Sequence, residues 1–249
     1  MKKQFLVYLP FLLLLACKPV NHHLVSTVSY SNIQKEAENA EMDKIIAPYK
    51  AEVDAEMNKI IGNSEVAMPK QGGKPETLLG NFVADLTLEF ARTIDSKTDF
   101  SVLNNGGLRS SLPEGDITIR NVFELMPFDN EIVIVTLDGN SVDKILSYIA
   151  ERGGVPVAGV AMQLEKMNGT TVATSVMVGS EKFSTARTYK IATSDYLAGG
   201  GDSMGFWSTG SIQTTSKKLR DAIVDFIRLK TAENKKLHPI LDNRITFLN

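Results

Sequence analysis

Three short segments concentrate residues suited to holding a ligand: NNGGLR at 104–109, MPFDN at 126–130 and DYLAGGGD at 195–202. In the first, Gly106 and Gly107 let backbone amides approach a ligand closely. Asn104 and Asn105 offer both donors and acceptors, and Arg109 offers a planar fork for anions. On spacing alone, this is also what a tight turn after a strand looks like. In the second, Phe128 offers a stacking face, although a core phenylalanine is the commoner outcome. In the third, Tyr196 is a second aromatic, followed by three glycines and Asp202, a residue that in isolation reads as a turn former. Phe206 and Trp207 read as core or rim. Together, two rings could clamp a planar base, the arginine could hold a phosphate, and the aspartate could accept from ribose hydroxyls. That set suits a nucleotide better than a sugar or a peptide.

Catalytic groups are scarce by comparison. A hydrolytic metal centre needs clustered His, Asp or Glu ligands. The chain has 3 histidines: His22 and His23 near the start, and His238 before a proline. No H-x-E, H-E-x-x-H or D-x-H spacing occurs, and no serine sits near a motif-like base. No phosphate-binding loop ending in Gly-Lys-Ser/Thr is present. No metal site is expected in this chain. Formal net charge is −2, from 27 basic and 29 acidic residues, without a long basic run. A nucleic-acid partner is therefore not supported.

The N-terminus reads MKKQFLVYLPFLLLLACKPV. Lys2 and Lys3 precede an apolar run from Phe5 to Leu15, too short to span a bilayer stably. Leu14-Leu15-Ala16-Cys17 resembles a bacterial lipobox, with Leu15 bulkier than usual. The lone cysteine rules out an intramolecular disulfide. Residues 1–16 are thus expected to be a lipoprotein signal peptide, with Cys17 lipidated and the protein held to a membrane of the bacterial cell envelope. Each buried acyl methylene adds about 0.8 kcal/mol of anchoring. An ordinary secretory signal is the alternative. Residues 17–32 are polar and read as a tether, and 33–249 as the folded domain.

These segments must be positioned by an α+β fold. Apolar spacing predicts a helix over 33–61, kinked at Pro48 and stopped at Gly62. It reads as a solvated amphipathic helix packing on the main domain; a partner-docking helix stays open. PETLLGNFVADLTLEFARTI predicts a second helix, with Leu79, Phe82, Val83, Leu86, Phe90 and Ile94 on one face. DFSVLN is a short strand, and DITIRNVFELMPF begins as a strand and turns helical. EIVIVTLDG is a buried strand. NSVDKILSYIAER is a helix capped by Asn140 or Ser141. VAMQLEK, TVATSVMV and TYKIATS are strands, KKLRDAIVDFIRLK a closing helix and NRITFL a last strand. The order lacks a regular βαβα beat, which favours mixed and antiparallel sheets with packed helices over a doubly wound fold.

ETLLGNFVAD (76–85), LNNGGLR (103–109), ITIRNVFELMPFDNEIVIVTLDG (117–139) and TSDYLAGGGD (193–202) resemble, in this order, the C-terminal domain of the 5′-nucleotidase family. The resemblance runs from about residue 33 to the end. In that family this domain binds the nucleoside part of the substrate, and a separate N-terminal metallophosphatase domain with two metal ions cleaves the phosphate ester. The resemblance implies that Phe128 and Tyr196 sandwich the base and that Asn130 lies beside it. It likewise implies that Asn104 and Arg109 contact ribose and phosphate, that Asp202 accepts from ribose hydroxyls, and that Gly106 and Gly107 supply close backbone approach. An arginine that the family places upstream of L-G-N is absent; only Lys70 and Lys74 stand there. No cofactor is expected in this chain, divalent metals being expected in a separate metallophosphatase partner, so the chain alone is expected to be inactive. Two other readings stay open: a stand-alone nucleoside- or nucleotide-binding lipoprotein, and a scaffold that has lost its pocket.

Overall fold

The structure, a computed structural model, describes residues 40–70 and 75–248. The expected signal peptide, Cys17 and the tether lie outside the described residues. The chain divides into two units, Met1–Ile45 and Ile46–Asn249. Of the first, only the opening of helix α1 (Ala40–Met57) is described. No helix among the described residues is long and apolar enough to cross a membrane.

Helix α1 runs through Pro48 and buries none of its residues. Ile45, Ile46, Tyr49 and Val53 are all exposed, so it is not the packed amphipathic helix that its spacing predicts. Within the second unit, Asp54 on this helix accepts from Arg120 at 2.6 Å. The helix also ends early. Ile60 and Ile61 belong to strand β1 (Ile60–Ser64), and Gly62 is a strand residue rather than a helix stop. It is glycine because a Cβ there would lie 2.4 Å from the Ile227 side chain.

Helix α2 (Leu78–Ile94) is capped by Thr77, whose hydroxyl accepts from the Gly80 amide. Leu79, Phe82, Val83 and Leu86 are buried as the period predicts, whereas Ile94 is exposed. Then follow β2 (Phe100–Val102), a 3₁₀ turn at Asn105–Gly107, β3 (Gly115–Thr118) and α3 (Ile119–Leu125). Thr118 and Asn121 close a reciprocal capping box, which is why the segment changes from strand to helix there. Strand β4 (Glu131–Asp138) leads into α4 (Gly139–Glu151). The cap of α4 is Asp138, not Asn140 or Ser141: its carboxylate accepts from the Ser141 amide at 2.8 Å. Gly139 lacks a Cβ because the Thr185 backbone lies 2.5 Å from where one would sit.

The second half supplies β5 (Val157–Ala158), β6 (Val160–Met167), β7 (Thr170–Val178), β8 (Glu181–Lys182) and β9 (Thr188–Ser194). Then come α5 (Asp195–Ala198), two 3₁₀ turns at Gly201–Ser203 and Gly205–Thr209, β10 (Ser211–Lys218), α6 (Leu219–Ala232) and β11 (Ile245–Phe247). The described strands form three sheets: β1-β3, β10-β4-β9-β2-β5 and β11-β6-β7-β8. Pairings are mostly antiparallel, with β2–β9 and β11–β6 parallel, so the fold is α+β with mixed and antiparallel sheets, as expected. The β1, β5, β8 and β10 strands are additions that the sequence patterns do not predict. Strand β10 is a polar edge strand, SIQTTSKK, with little apolar alternation to mark it.

The five-stranded sheet, apart from its edge strand β10, is largely buried. Val133, Val135 and Leu137 of β4 join a core with α4, β6 and Trp207. Ile132 joins a second core with α2, α3 and α6, while Ile134 meets Ala91 of α2 and Ala192 of β9. Double-sided burial explains why EIVIVTL reads as a continuous apolar run rather than an alternating one. Each such side chain contributes roughly 1.5–3 kcal/mol.

One glycine after α4 tests how tightly these layers are joined. Gly154 has φ +114°, and an added Cβ would meet the Pro75 carbonyl oxygen at 1.9 Å. Gly154→Ala is expected to destabilise the protein by about 2 kcal/mol or more in urea unfolding. Gly179→Ala, with φ +60° but nothing within 4 Å, carries only the left-handed cost of about 1–2 kcal/mol. Equal losses for the two variants would show that the close approach at Pro75 is not real.

Candidate functional site

The register of the central strands assembles the site. Strand β4 pairs antiparallel with β9, from Ile132↔Ser194 to Asp138↔Thr188. Strand β2 pairs parallel with β9, with Phe100↔Ile191 and Ser101↔Ala192. The start of β4 and the ends of β9 and β2 therefore share one edge of the sheet. The segments just beyond those ends hold Phe128–Asn130, Tyr196–Asp202 and Asn104–Arg109.

At that edge lies a cavity of about 610 Å³, lined by Asn104, Gly106, Gly107, Arg109, Phe128, Asp129, Asn130, Tyr196 and Asp202. All eight site residues named from the sequence border it. Asp129 is an addition that only its neighbours in MPFDN could have flagged. The volume lies in the range of ordinary small-molecule pockets. Phe128 and Tyr196 are 42% and 46% exposed, whereas large aromatics elsewhere in the domain, such as Phe100, Tyr189 and Trp207, are fully buried. The two rings are thus exposed where they line a cavity, a placement that core packing does not explain.

Asp202 joins the segments. Its carboxylate accepts from the Asn104 amide at 2.8 Å and from the Tyr196 hydroxyl at 2.8 Å. The same hydroxyl accepts from the Asp202 backbone amide at 3.2 Å. Hydrogen bonding to the carboxylate holds the Tyr196 phenol above its ordinary value. The glycines have local reasons. Gly200 has φ +92°, and a Cβ on Gly201 would lie 2.5 Å from the Tyr196 ring. At Gly107 a Cβ would meet the Asn104 side-chain oxygen at 2.9 Å.

Arg109 is tied by its backbone amide to the Leu125 carbonyl at 2.8 Å. Its guanidinium donates to the Gly106 carbonyl at 3.2 Å and lies 5.9 Å from the Phe128 ring centroid. The Phe128 segment is held from the other side. Asp129 accepts from Lys218 and Arg220, which hold its carboxyl below the usual range, Lys218 first. The Asn130 carbonyl accepts from the Leu219 amide, and the Asn130 side chain donates to Asp195 at 2.8 Å. That leaves the Asn130 side-chain oxygen and one N–H for a ligand. Among the described residues, no group of three or more His, Cys, Asp or Glu is placed to hold a metal ion.

Known proteins resemble this chain in sequence and fold. The family model described as 5′-nucleotidase, C-terminal domain, matches residues 60–208. The trifunctional nucleotide phosphoesterase protein YfkN of Bacillus subtilis is 28% identical over 198 residues, covering 70% of this chain and 13% of that protein. A 5′-nucleotidase of Vibrio parahaemolyticus is 31% identical over 154 residues, covering 59% of this chain and 25% of that protein. The chain thus spans well under a third of the length of these relatives. A 5′-nucleotidase precursor from Thermus thermophilus shares the fold, with a TM-score of 0.72 at 24% identity, over 83% of this chain and 43% of that one. The Haemophilus influenzae NAD nucleotidase does so with a TM-score of 0.63 at 20% identity, over 85% and 42%. With the family model covering more than half of its length, and with the motifs it matches gathered at one sheet edge, the chain belongs to the 5′-nucleotidase family through its C-terminal domain.

Proposed function

We propose that this chain is the nucleotide-recognition part of a 5′-nucleotidase-type phosphohydrolase. It holds the nucleoside in the cavity at the sheet edge, while a metallophosphatase outside the chain hydrolyses the phosphate ester. The observation that carries this reading is one cavity bordered by two half-exposed rings, a carboxylate and a guanidinium. Phe128 and Tyr196 take the base between them. Asp202 uses part of its accepting capacity on Asn104 and Tyr196, and its remaining lone pairs accept from the ribose hydroxyls. Arg109 offers its remaining N–H groups to the phosphate side. The chemical step would belong to the partner, whose divalent metals would supply the activation of water. This chain contributes binding and orientation, which can be a large share of the rate. Lipidation at Cys17 would hold the assembly at the bacterial cell envelope.

Three outcomes test the reading. Stacking is worth on the order of 1–3 kcal/mol per base by alanine substitution in single-strand binders. Phe128→Ala is expected to weaken adenosine binding by a similar amount in calorimetric titration while the fold survives. An unchanged affinity in the folded variant would remove Phe128 from the site. The purified chain is expected to bind adenosine and AMP without metal and to release no phosphate from AMP. Chelator-sensitive release that survives exhaustive purification would end the division of labour, and no binding at all would favour a scaffold that has lost its pocket.

The Tyr196 phenol gives a ligand-free check. Its pKa is raised by the hydrogen bond to Asp202, so that bond's contribution is complete below the unfolded value of about 10. It is lost as pH climbs through the higher folded value. NMR titration of labelled tyrosine is expected to place Tyr196 above 10 and to return it toward 10 in Asp202→Asn. A Tyr196 that titrates at the ordinary value in the unmodified chain would mean that the carboxylate is not fixed beside the ring.

A further inference from the structure

Asp202 is held by its main chain as well as by its side chain. It adopts φ 53° and ψ 28°, and Ser203 follows with φ 65°. Two successive L-residues in the left-handed region do not persist without outside support. Here the support comes from α4. The Asp202 carbonyl accepts from the Tyr148 hydroxyl at 3.2 Å and from Arg152 Nη2 at 3.4 Å. Tyr148 lies in the last turn of that helix and Arg152 is its C-cap, and the guanidinium lies 4.1 Å from the Tyr148 ring centroid. Phe206 braces the same ring edge-on at 6.0 Å.

Neither Tyr148 nor Arg152 borders the cavity between the two exposed rings. Both line a second cavity of about 600 Å³, which shares Asn104, Gly106 and Asp202 with the first. Asp202 therefore stands as a wall between the two, its carboxylate bonded to residues of the ring cavity and its carbonyl bonded to residues of the second. Among the described residues, the Arg152 guanidinium meets no carboxylate within ion-pair distance, and its side-chain hydrogen bond is the long one to this carbonyl. Its main chain caps α4, the backbone amide donating to the Tyr148 carbonyl at 3.2 Å, but the cap does not require the guanidinium to lie over the Tyr148 ring.

We infer that Tyr148 and Arg152 are positioning residues for ribose recognition, fixing the Asp202 turn so that its carboxylate is preorganised to accept from the sugar hydroxyls. This rests on the reading of Asp202 as the ribose acceptor. The physical case is one of preorganisation. A carboxylate restrained only by Asn104 and Tyr196 would shift whenever the ligand competed for them. A carbonyl anchor on the opposite side leaves the turn set, so that binding does not have to order it. The arginine over the ring face fixes the direction of the phenol through a cation–π contact.

The experiment titrates the full chain with adenosine and with 2′,3′-dideoxyadenosine, which lacks both hydroxyls. Wild type is expected to prefer adenosine. Tyr148→Phe keeps the ring beneath Arg152 and removes only the donor. It is expected to lower adenosine affinity about ten-fold, the scale of one hydrogen bond, and to leave the dideoxy affinity within about two-fold. Arg152→Gln is expected to move adenosine in the same direction. Amide hydrogen exchange at Asp202 in the ligand-free chain is expected to speed up in Tyr148→Phe. A purely structural role would lower both affinities together, and that result, or an undiminished preference with unchanged exchange, overturns the inference alone. A wild type that does not distinguish the two nucleosides overturns the ribose reading of Asp202 and this inference with it.

Discussion

The site depends on the pairing of β4 with β9. Because the two strands are antiparallel, the segment leading into β4 comes to lie beside the segment leaving β9. Phe128 and Tyr196 are thereby brought to one cavity from 68 residues apart in the chain. A one-residue slip would invert every side chain of the slipped strand. In a strand buried on both faces, the apolar pattern alone guards poorly against that slip, since either face accepts an Ile or a Val. Polar groups at the two ends of β4 fix its place against its other neighbours. Asp138 must reach the Ser141 amide to start α4. Glu131 must reach the amides of Thr215 and Ser216, where β10 departs from regular pairing between Thr214 and Lys218. The two carboxylates thus tie the ends of β4 to α4 and to β10, and the ladder from Ile132↔Ser194 to Asp138↔Thr188 carries the register with β9.

From that frame the loops inherit their order. The 126–130 segment is bound through Asp129 and Asn130 to the junction of β10 and α6. The 104–109 segment is bound through Arg109 to the end of α3. The 195–202 segment is bound through Asp202 to Asn104 and to α4. Each loop has an anchor outside the cavity as well as a side chain at its border. This is the arrangement that lets a site on loops keep a fixed geometry, its positions set by supporting bonds rather than by the loop's own stiffness.

Much of this is legible in the sequence because local rules govern it. The buried run EIVIVTL, the change from strand to helix in DITIRNVFELMPF and the apolar face of α2 each announce their element within a few residues. The eight candidate residues are named through the resemblance to a family, since on spacing alone NNGGLR reads as a turn and Phe128 as a core residue. The misreadings have physical causes. Ile60 and Ile61 continue the helical spacing of α1, and only their pairing with β3, a long-range event, makes them strand. Strand β10 carries Gln, Thr and Ser outward at a sheet edge, so no hydrophobic pattern marks it. Asp138 escapes notice as a cap because the turn signal Asp-Gly reads equally as the end of a strand. Tyr148 and Arg152 look like ordinary helix residues; nothing in the sequence says that a loop 50 residues further on will place a carbonyl beside them.

The charges around the cavity bear on what this chain would hold unaided. Its lining includes one guanidinium, Arg109, against the carboxylates of Asp129 and Asp202. Lys218 and Arg220 offset Asp129 from outside, whereas the Asp202 carboxylate accepts from two neutral donors, the Asn104 amide and the Tyr196 hydroxyl, Arg152 reaching only its carbonyl. A carboxylate and an anion repel each other within several ångströms. On the proposed reading, the cavity is thus matched to the neutral half of a nucleotide, with base on rings and hydroxyls on Asp202, and Arg109 does little more than offset the repulsion at the phosphate side. Net attraction for the phosphate would then have to come from the metals of the partner. A recognition chain built this way holds its ligand by the part that does not change in the reaction and leaves the reacting group to the catalytic partner.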